Sequence, residues 1–211
     1  LEHNLSRLER EKLVRKSEII EAAEKLFLKN GFEGTSMEDV AKASQFTKRT
    51  VYQYFINKED LFFAVILKAV EQLDTDYEEA LKKGATVLDK IRLVNRAYYR
   101  FFKDDPQTFR LLNYKPASRE NKAASPNYQE IVKLRDRSFQ KYIKLLEEGK
   151  AEGSLRPDFD AKKATHFGAI INMGFLNTIS SFGNDYWEKH GLEKEDFILY
   201  SFDLLTDSLK K

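Results

Sequence analysis

Thr47, Lys48, Arg49, Thr50, Tyr52, Gln53 and Tyr54 form a short run rich in cations and hydrogen-bond donors and free of carboxylates. Across the wider window from Val40 to Lys58 the basic residues are Lys42, Lys48, Arg49 and Lys58, with no Asp or Glu. From Glu59 onward 25 basic residues face 25 acidic ones. The net charge of the chain is only +2, so the distribution, and not the sum, marks where a polyanion could lie without repulsion. An Arg fork pairs in a bidentate way with guanine, and a Gln amide does so with adenine. Rotating 100° per residue from Val51, with Phe55 on the same inward side, turns Arg49 and Gln53 outward as candidate base readers. Thr47, Thr50, Tyr52 and Tyr54 lie at the start and flanks of that face, where hydroxyls would meet phosphate oxygens. Lys48 and Lys58 bracket it with positive charge, and Thr35 and Ser36 could present a hydroxyl and backbone N–H groups to a further phosphate.

The elements that must hold these residues are helices. Only 4 Pro and 9 Gly interrupt apolar residues spaced three and four apart, the pattern of an all-α chain. A first helix is expected over Glu11–Asn30, with Ile19, Ile20, Ala23, Leu26 and Phe27 as its apolar stripe, closed by Gly31. Ser36, with Asp39 three residues on, caps a second short helix to about Ser44. Thr47 caps a third, Lys48 to about Phe55, and three residues separate the two. Two short helices joined in this way, the second opening on basic residues, have the geometry of a helix-turn-helix. Charge and spacing alone leave a solvated helical hairpin equally open. Asn57 opens a long helix carrying Leu61, Phe62, Val65, Ile66, Ala69 and Leu73. Helical pattern then returns over residues 87–102, 106–113, 127–149, 160–182 and 192–209. The stretch Tyr114–Pro126, with Pro116 and Ser118, is expected as a loop, and Gly149–Pro157 as a second break.

The segment GFEGTSMEDVAKASQFTKRTVYQYFINKEDLF resembles the DNA-binding region of the tetracycline-repressor (TetR) family of dimeric bacterial regulators. The matches are Gly31-Phe32, Thr35, Val40-Ala41, Thr47-Lys48, Thr50-Val51-Tyr52, Phe55 and Asn57-Lys58-Glu59 before Leu61. Three positions depart from the family pattern: Gln45 replaces the usual turn Gly, Arg49 a second Gly, and Tyr54 a commoner His. The resemblance covers about the first 65 residues. It implies a three-helix helix-turn-helix DNA-binding domain over residues 8–56 and a helical ligand-binding and dimerisation domain over residues 57–211. Its partners would be a palindromic double-stranded DNA operator, a second copy of the chain and a small, mostly apolar or aromatic inducer. Repression is the family default.

In the C-terminal part, aromatics recur at helical spacing, a pattern that a plain core also produces. The resemblance implies a cavity there, for which Asn95, Tyr98, Phe102, Phe109, Phe139, Tyr142, Asn172 and Phe175 are the candidate ligand contacts. The helices over residues 160–182 and 192–209 resemble the family's dimerising pair, with Gly168, Ala169 and Gly174 between Phe167, Ile170, Ile171 and Phe175. The same side chains could equally face the chain's own core.

Enzymatic and metal chemistry fit poorly, and no cofactor is expected. His3, His166 and His190 lie far apart, none with a second His at the spacing of a helix-borne metal site, and His166 is expected in the core. No phosphate-binding glycine loop or nucleophile elbow occurs. No apolar run approaches the roughly 20 residues needed to cross a bilayer. With no cysteine the composition suits a cytoplasmic protein without a membrane partner. A helical dimeric protein-interaction module without sequence-specific DNA binding is the alternative.

Overall fold

Ser6 opens the first helix four residues earlier than apolar periodicity suggests. Its Oγ accepts from the Glu9 N–H at 3.3 Å while Glu9 Oε2 accepts from the Ser6 N–H at 2.8 Å, a capping box that starts a helix before any residue needs burying. The structure, a computed structural model, describes residues 6–114 and 124–211; the expected loop residues Pro116 and Ser118 lie outside them. The helices among the described residues are α1 (Arg7–Asn30), α2 (Met37–Ala43), α3 (Lys48–Tyr54), α4 (Lys58–Lys83), α5 (Val87–Asp104), α6 (Pro106–Asn113), α7 (Pro126–Ala151), α8 (Ala161–Ser180), α9 (Asn184–His190) and α10 (Lys194–Asp207). Strand pairing among them is limited to one isolated antiparallel bridge between Leu155 and Lys210. No helix of the described residues is long and apolar enough to cross a membrane.

Packing groups Leu1–Val70 with Gln107–Lys133 as one compact unit and Glu71–Pro106 with Leu134–Lys211 as another. In the first, Ile19, Ala23 and Phe27 of α1 meet Val40 and Ala41 of α2, Val51 of α3, Phe55, and Leu61, Phe62 and Val65 of α4. Phe27 and Phe32 set their rings against Phe62 at 5.3 and 5.1 Å, both near edge-on, the arrangement ring quadrupoles favour. Asp60 is buried in this unit and accepts from Ser125 Oγ at 2.5 Å and Asn127 Nδ2 at 2.9 Å.

The turn between α2 and α3 resolves what Gln45 does in place of Gly. It keeps the left-handed conformation, φ 59°, and is the one non-glycine residue among those described to do so. The Gln45 N–H donates to Lys42 O at 3.2 Å and the Phe46 N–H to Ala41 O at 2.9 Å, the two bonds of a Schellman closure. A side chain there costs about 1–2 kcal/mol, partly offset because Gly would lose more chain entropy on folding. Gln45→Gly should therefore stabilise the chain by about 0.5–1 kcal/mol. Urea unfolding measures it, and a lowered midpoint would show that the Gln side chain contributes more than its strain costs.

The second unit packs Val87 and Ile91 of α5 against Leu145 and Leu146 of α7, with Leu155 and Ala161. Two expectations need correction here. A seven-residue helix, α9, fills the gap left between the expected final helices; it is bounded by Gly183 and by Gly191 in the left-handed conformation, and it buries Trp187. His166 is exposed on α8, not in the core, with its ring edge-on to Phe139 at 4.9 Å. Helix α8 is apolar on more than one side, so periodicity could not tell its inner side from its outer one.

Candidate nucleic-acid interface and effector site

Helix α3 is held from beneath. Val51 and Phe55 are 0% and 1% exposed, and burying two such side chains contributes roughly 1.5–3 kcal/mol each, which fixes the helix's rotation. Arg49 and Gln53 consequently stand in solvent, as the 100° step requires, with Lys48 and Tyr52 exposed beside them. Thr47 caps the helix: its Oγ1 accepts from the Thr50 N–H at 3.1 Å and lies 2.8 Å from Thr50 Oγ1. Tyr54 is half-buried against the core. The first turn of α3 carries no acid, so its N–H groups and its cations present positive potential together.

The other candidates are more committed. Thr35 is buried and its Oγ1 donates to Gly31 O at 2.9 Å, so its hydroxyl serves the turn. Ser36 gives both its N–H and its Oγ to Asp39 Oδ2, at 3.0 and 2.6 Å, and hydrogen bonding to Ser36 holds the Asp39 carboxyl below its ordinary range. Lys58 Nζ donates to Phe32 O at 2.9 Å and stands 4.3 Å from the centre of the Phe32 ring. That ammonium ties the start of α4 to the loop after α1 and keeps only its remaining donors for another acceptor.

The window that is acid-free in sequence is not acid-free in space. A shallow surface depression brings Glu33, Glu38 and Asp39 beside Tyr52 and Lys58. Glu38 of α2 forms an ion pair with Lys48, while Lys48 Nζ also lies 5.9 Å from the Tyr52 ring centre. Glu33 Oε1 accepts from Tyr114 at 2.9 Å.

In the second unit, Asn172 Nδ2 donates to Asn95 Oδ1 at 3.0 Å and Asn95 Nδ2 to Thr206 Oγ1 at 3.2 Å, tying α8, α5 and α10 together. Asn172 Oδ1 is buried without a hydrogen-bond partner in the structure. Burial pushes the Tyr98 hydroxyl up to about 12 and the Tyr142 hydroxyl higher. Tyr77 is likewise pushed well up, first by burial and then by the nearby Tyr98 and Tyr142. All three phenols therefore stay neutral. Phe102 is buried, and Phe139, Tyr142, Asn172 and Phe175 are partly so. Phe175 packs on Phe202 and Phe197 of α10, at 5.8 and 6.1 Å. Phe109, 1% exposed, belongs to the first unit.

Residues 19–65 match the family model for bacterial regulatory proteins of the tetR family. That segment is a helix-turn-helix of the tetR type. The chain is 29% identical over 145 residues to the uncharacterized HTH-type transcriptional regulator YhgD of Bacillus subtilis, covering 68% of this chain and 73% of that one. It is 23% identical over 154 residues to the HTH-type transcriptional repressor KstR2 of Mycolicibacterium smegmatis, covering 72% and 73%. The crystal structure of the TetR-family regulator PfmR from Thermus thermophilus superposes with a TM-score of 0.67 at 24% identity, over 92% of this chain and 99% of that one. The chain is thus a transcriptional regulator with a DNA-binding helix-turn-helix of the tetR type and a helical C-terminal part.

Two residues beside these candidate sites escape a linear reading. Tyr77 shares the apolar stripe of α4 with Leu73 and Ala80, a spacing that could have singled it out. Glu38 lies ten residues from Lys48, and no local pattern announces their pairing.

Proposed function

We propose that the chain is a dimeric transcriptional repressor that binds a palindromic operator and leaves it when a small, mostly apolar molecule enters the second unit. One observation carries the DNA half of this reading: Arg49 and Gln53 stand outward on a two-turn helix whose other side is locked by Val51 and Phe55. Such a helix can enter a major groove N-terminus first. Lys48, Thr47, Thr50, Tyr52, Tyr54 and the remaining donors of Lys58 then meet phosphates. Thr35 and Ser36 contribute chiefly by shaping the turn before α2. The repressor sense follows the name of the KstR2 relative.

The dimer reading is supported by α8 and α10. Phe167, Ile170 and Ile171, with Tyr200 and Leu204, are 40–63% exposed, an apolar face that a lone soluble chain seldom leaves in water. A side chain added at Gly168 or Gly174 would meet nothing within 4 Å, which leaves room for a second copy to approach. For the effector, Asn95, Tyr98, Phe102, Phe139, Tyr142, Asn172 and Phe175, with Tyr77, offer aromatic surface, neutral hydroxyls and one unused acceptor. Helix α4 begins in the first unit and its turns from Glu71 belong to the second. An effector that shifts those turns alters the spacing of the two copies of α3. DNA and effector then weaken each other equally, by about 1–3 kcal/mol or roughly 5- to 150-fold.

Selection of bound duplexes from a random pool tests this reading. The expected product is an inverted repeat with half-sites about one helical turn apart, or a multiple. A pool that enriches no sequence would reject operator recognition.

A further inference from the structure

Of the three acids beside the recognition helix, two are spoken for. Asp39 caps α2 through Ser36, and Glu33 accepts from Tyr114. The third, Glu38, is bound to a cation that the DNA-binding reading needs. We propose that Glu38 is an electrostatic brake on DNA binding: its carboxylate occupies the Lys48 ammonium in the free protein, and a phosphate must displace it before Lys48 can serve the duplex. This rests on the DNA-binding reading and adds to it a residue that lowers affinity.

The side chains of Lys48 and Glu38 are 50% and 60% exposed, so neither fills the core. Each perturbs the other in the direction an ion pair requires: the Lys48 contact holds the Glu38 carboxyl below its ordinary range, and Glu38 raises the Lys48 ammonium above its own. The capping of α2 does not depend on Glu38, because Ser36 and Asp39 supply both bonds of the capping box. Lys48 opens α3, at the end of the helix that enters a groove first. A phosphate arriving there meets a cation already neutralised and a carboxylate of its own sign. Exposed pairs are weak, so the brake is moderate; it trims affinity without blocking binding.

Glu38→Gln keeps the shape and removes the charge. From the strength of exposed pairs, affinity should rise about 2- to 5-fold per half-site, or about 4- to 25-fold for a dimer engaging two. The gain should appear on operator and random duplexes alike, because Glu38 acts on backbone contacts. A freed Lys48 carries a counterion to be released, so log affinity against log salt should steepen by up to about 0.9 per half-site. Fluorescence-anisotropy titrations at several salt concentrations read both quantities for wild type, Glu38→Gln, Lys48→Ala and the double variant, with helix content checked by circular dichroism. The brake requires the gain and the steeper slope to vanish when Lys48 is already Ala. An unchanged or weaker affinity in Glu38→Gln overturns it, as does a gain that persists in full without Lys48. Should wild type bind no duplex at all, the DNA reading fails and the brake with it; wild-type binding with no Glu38 effect rejects the brake alone.

Discussion

Ile170→Asp is expected to leave the chain folded but monomeric and to weaken operator binding by about 100-fold or more, since linked binding events gain about 10²- to 10⁴-fold from avidity. Ile170 is 63% exposed on α8, flanked by Phe167 at 56% and Ile171 at 40%, with Tyr200 and Leu204 of α10 at 63% and 60%. A carboxylate on such a face stays hydrated in one copy, and the isolated fold should shift by no more than about 0.5 kcal/mol. In a two-fold contact each substitution occurs twice, so two charges would be stripped of water against apolar partners. Sedimentation of the variant reports its association, and a titration against an operator-length duplex reports the loss. A variant that remains dimeric would move the interface elsewhere. A monomer that keeps full affinity would remove the need for two half-sites.

The elements that sequence pattern anticipated are those specified locally. Ser36 with Asp39 and Thr47 are caps that act within three residues, and Val51 and Phe55 lie one turn apart, so the start, end and rotation of α2 and α3 were legible. The exposed state of Arg49 and Gln53 followed from that rotation. The first turn of α1 was equally local, as Ser6 with Glu9 shows, but apolar periodicity begins only later and hid it. Helix α9 was missed for a related reason: seven residues carrying one buried Trp187 make no period.

What stayed hidden depends on residues far apart in sequence. Net charge along a window cannot show that Glu38 folds back onto Lys48, or that the Lys58 ammonium is drawn to the Phe32 carbonyl. On α8 the difficulty is symmetry of composition. Apolar residues occupy both the side that holds Leu176 and Ile179 at 0% and 2% exposure and the side that holds Ile170. Hydrophobicity is the same on the two sides, and only the fold distinguishes the buried side from the exposed one.

Arg49→Ala should change which operator is preferred, whereas Lys58→Ala should weaken all duplexes together. Arg49 is exposed and makes no ion pair or hydrogen bond among the described residues, so its removal takes nothing from the fold. If its fork reads a guanine, the loss at that base pair is about 1–3 kcal/mol per half-site, roughly 5- to 150-fold, and other bases there become acceptable. Lys58 differs in kind. A phosphate contact from Lys58 would carry no sequence information, so affinity should fall evenly and the salt slope should drop by about 0.9 per lost contact. The Phe32 carbonyl also loses the shorter of its two hydrogen bonds and keeps that from the Thr35 N–H, so Lys58→Ala should lower thermal stability as well, by about 1 kcal/mol for the hydrogen bond. Binding measured across a set of single-base operator variants separates the two. An even loss for Arg49→Ala would take it out of base reading and leave Gln53 as the remaining candidate on that face. A base-specific loss for Lys58→Ala would mean that α4, and not α3 alone, reaches into the groove.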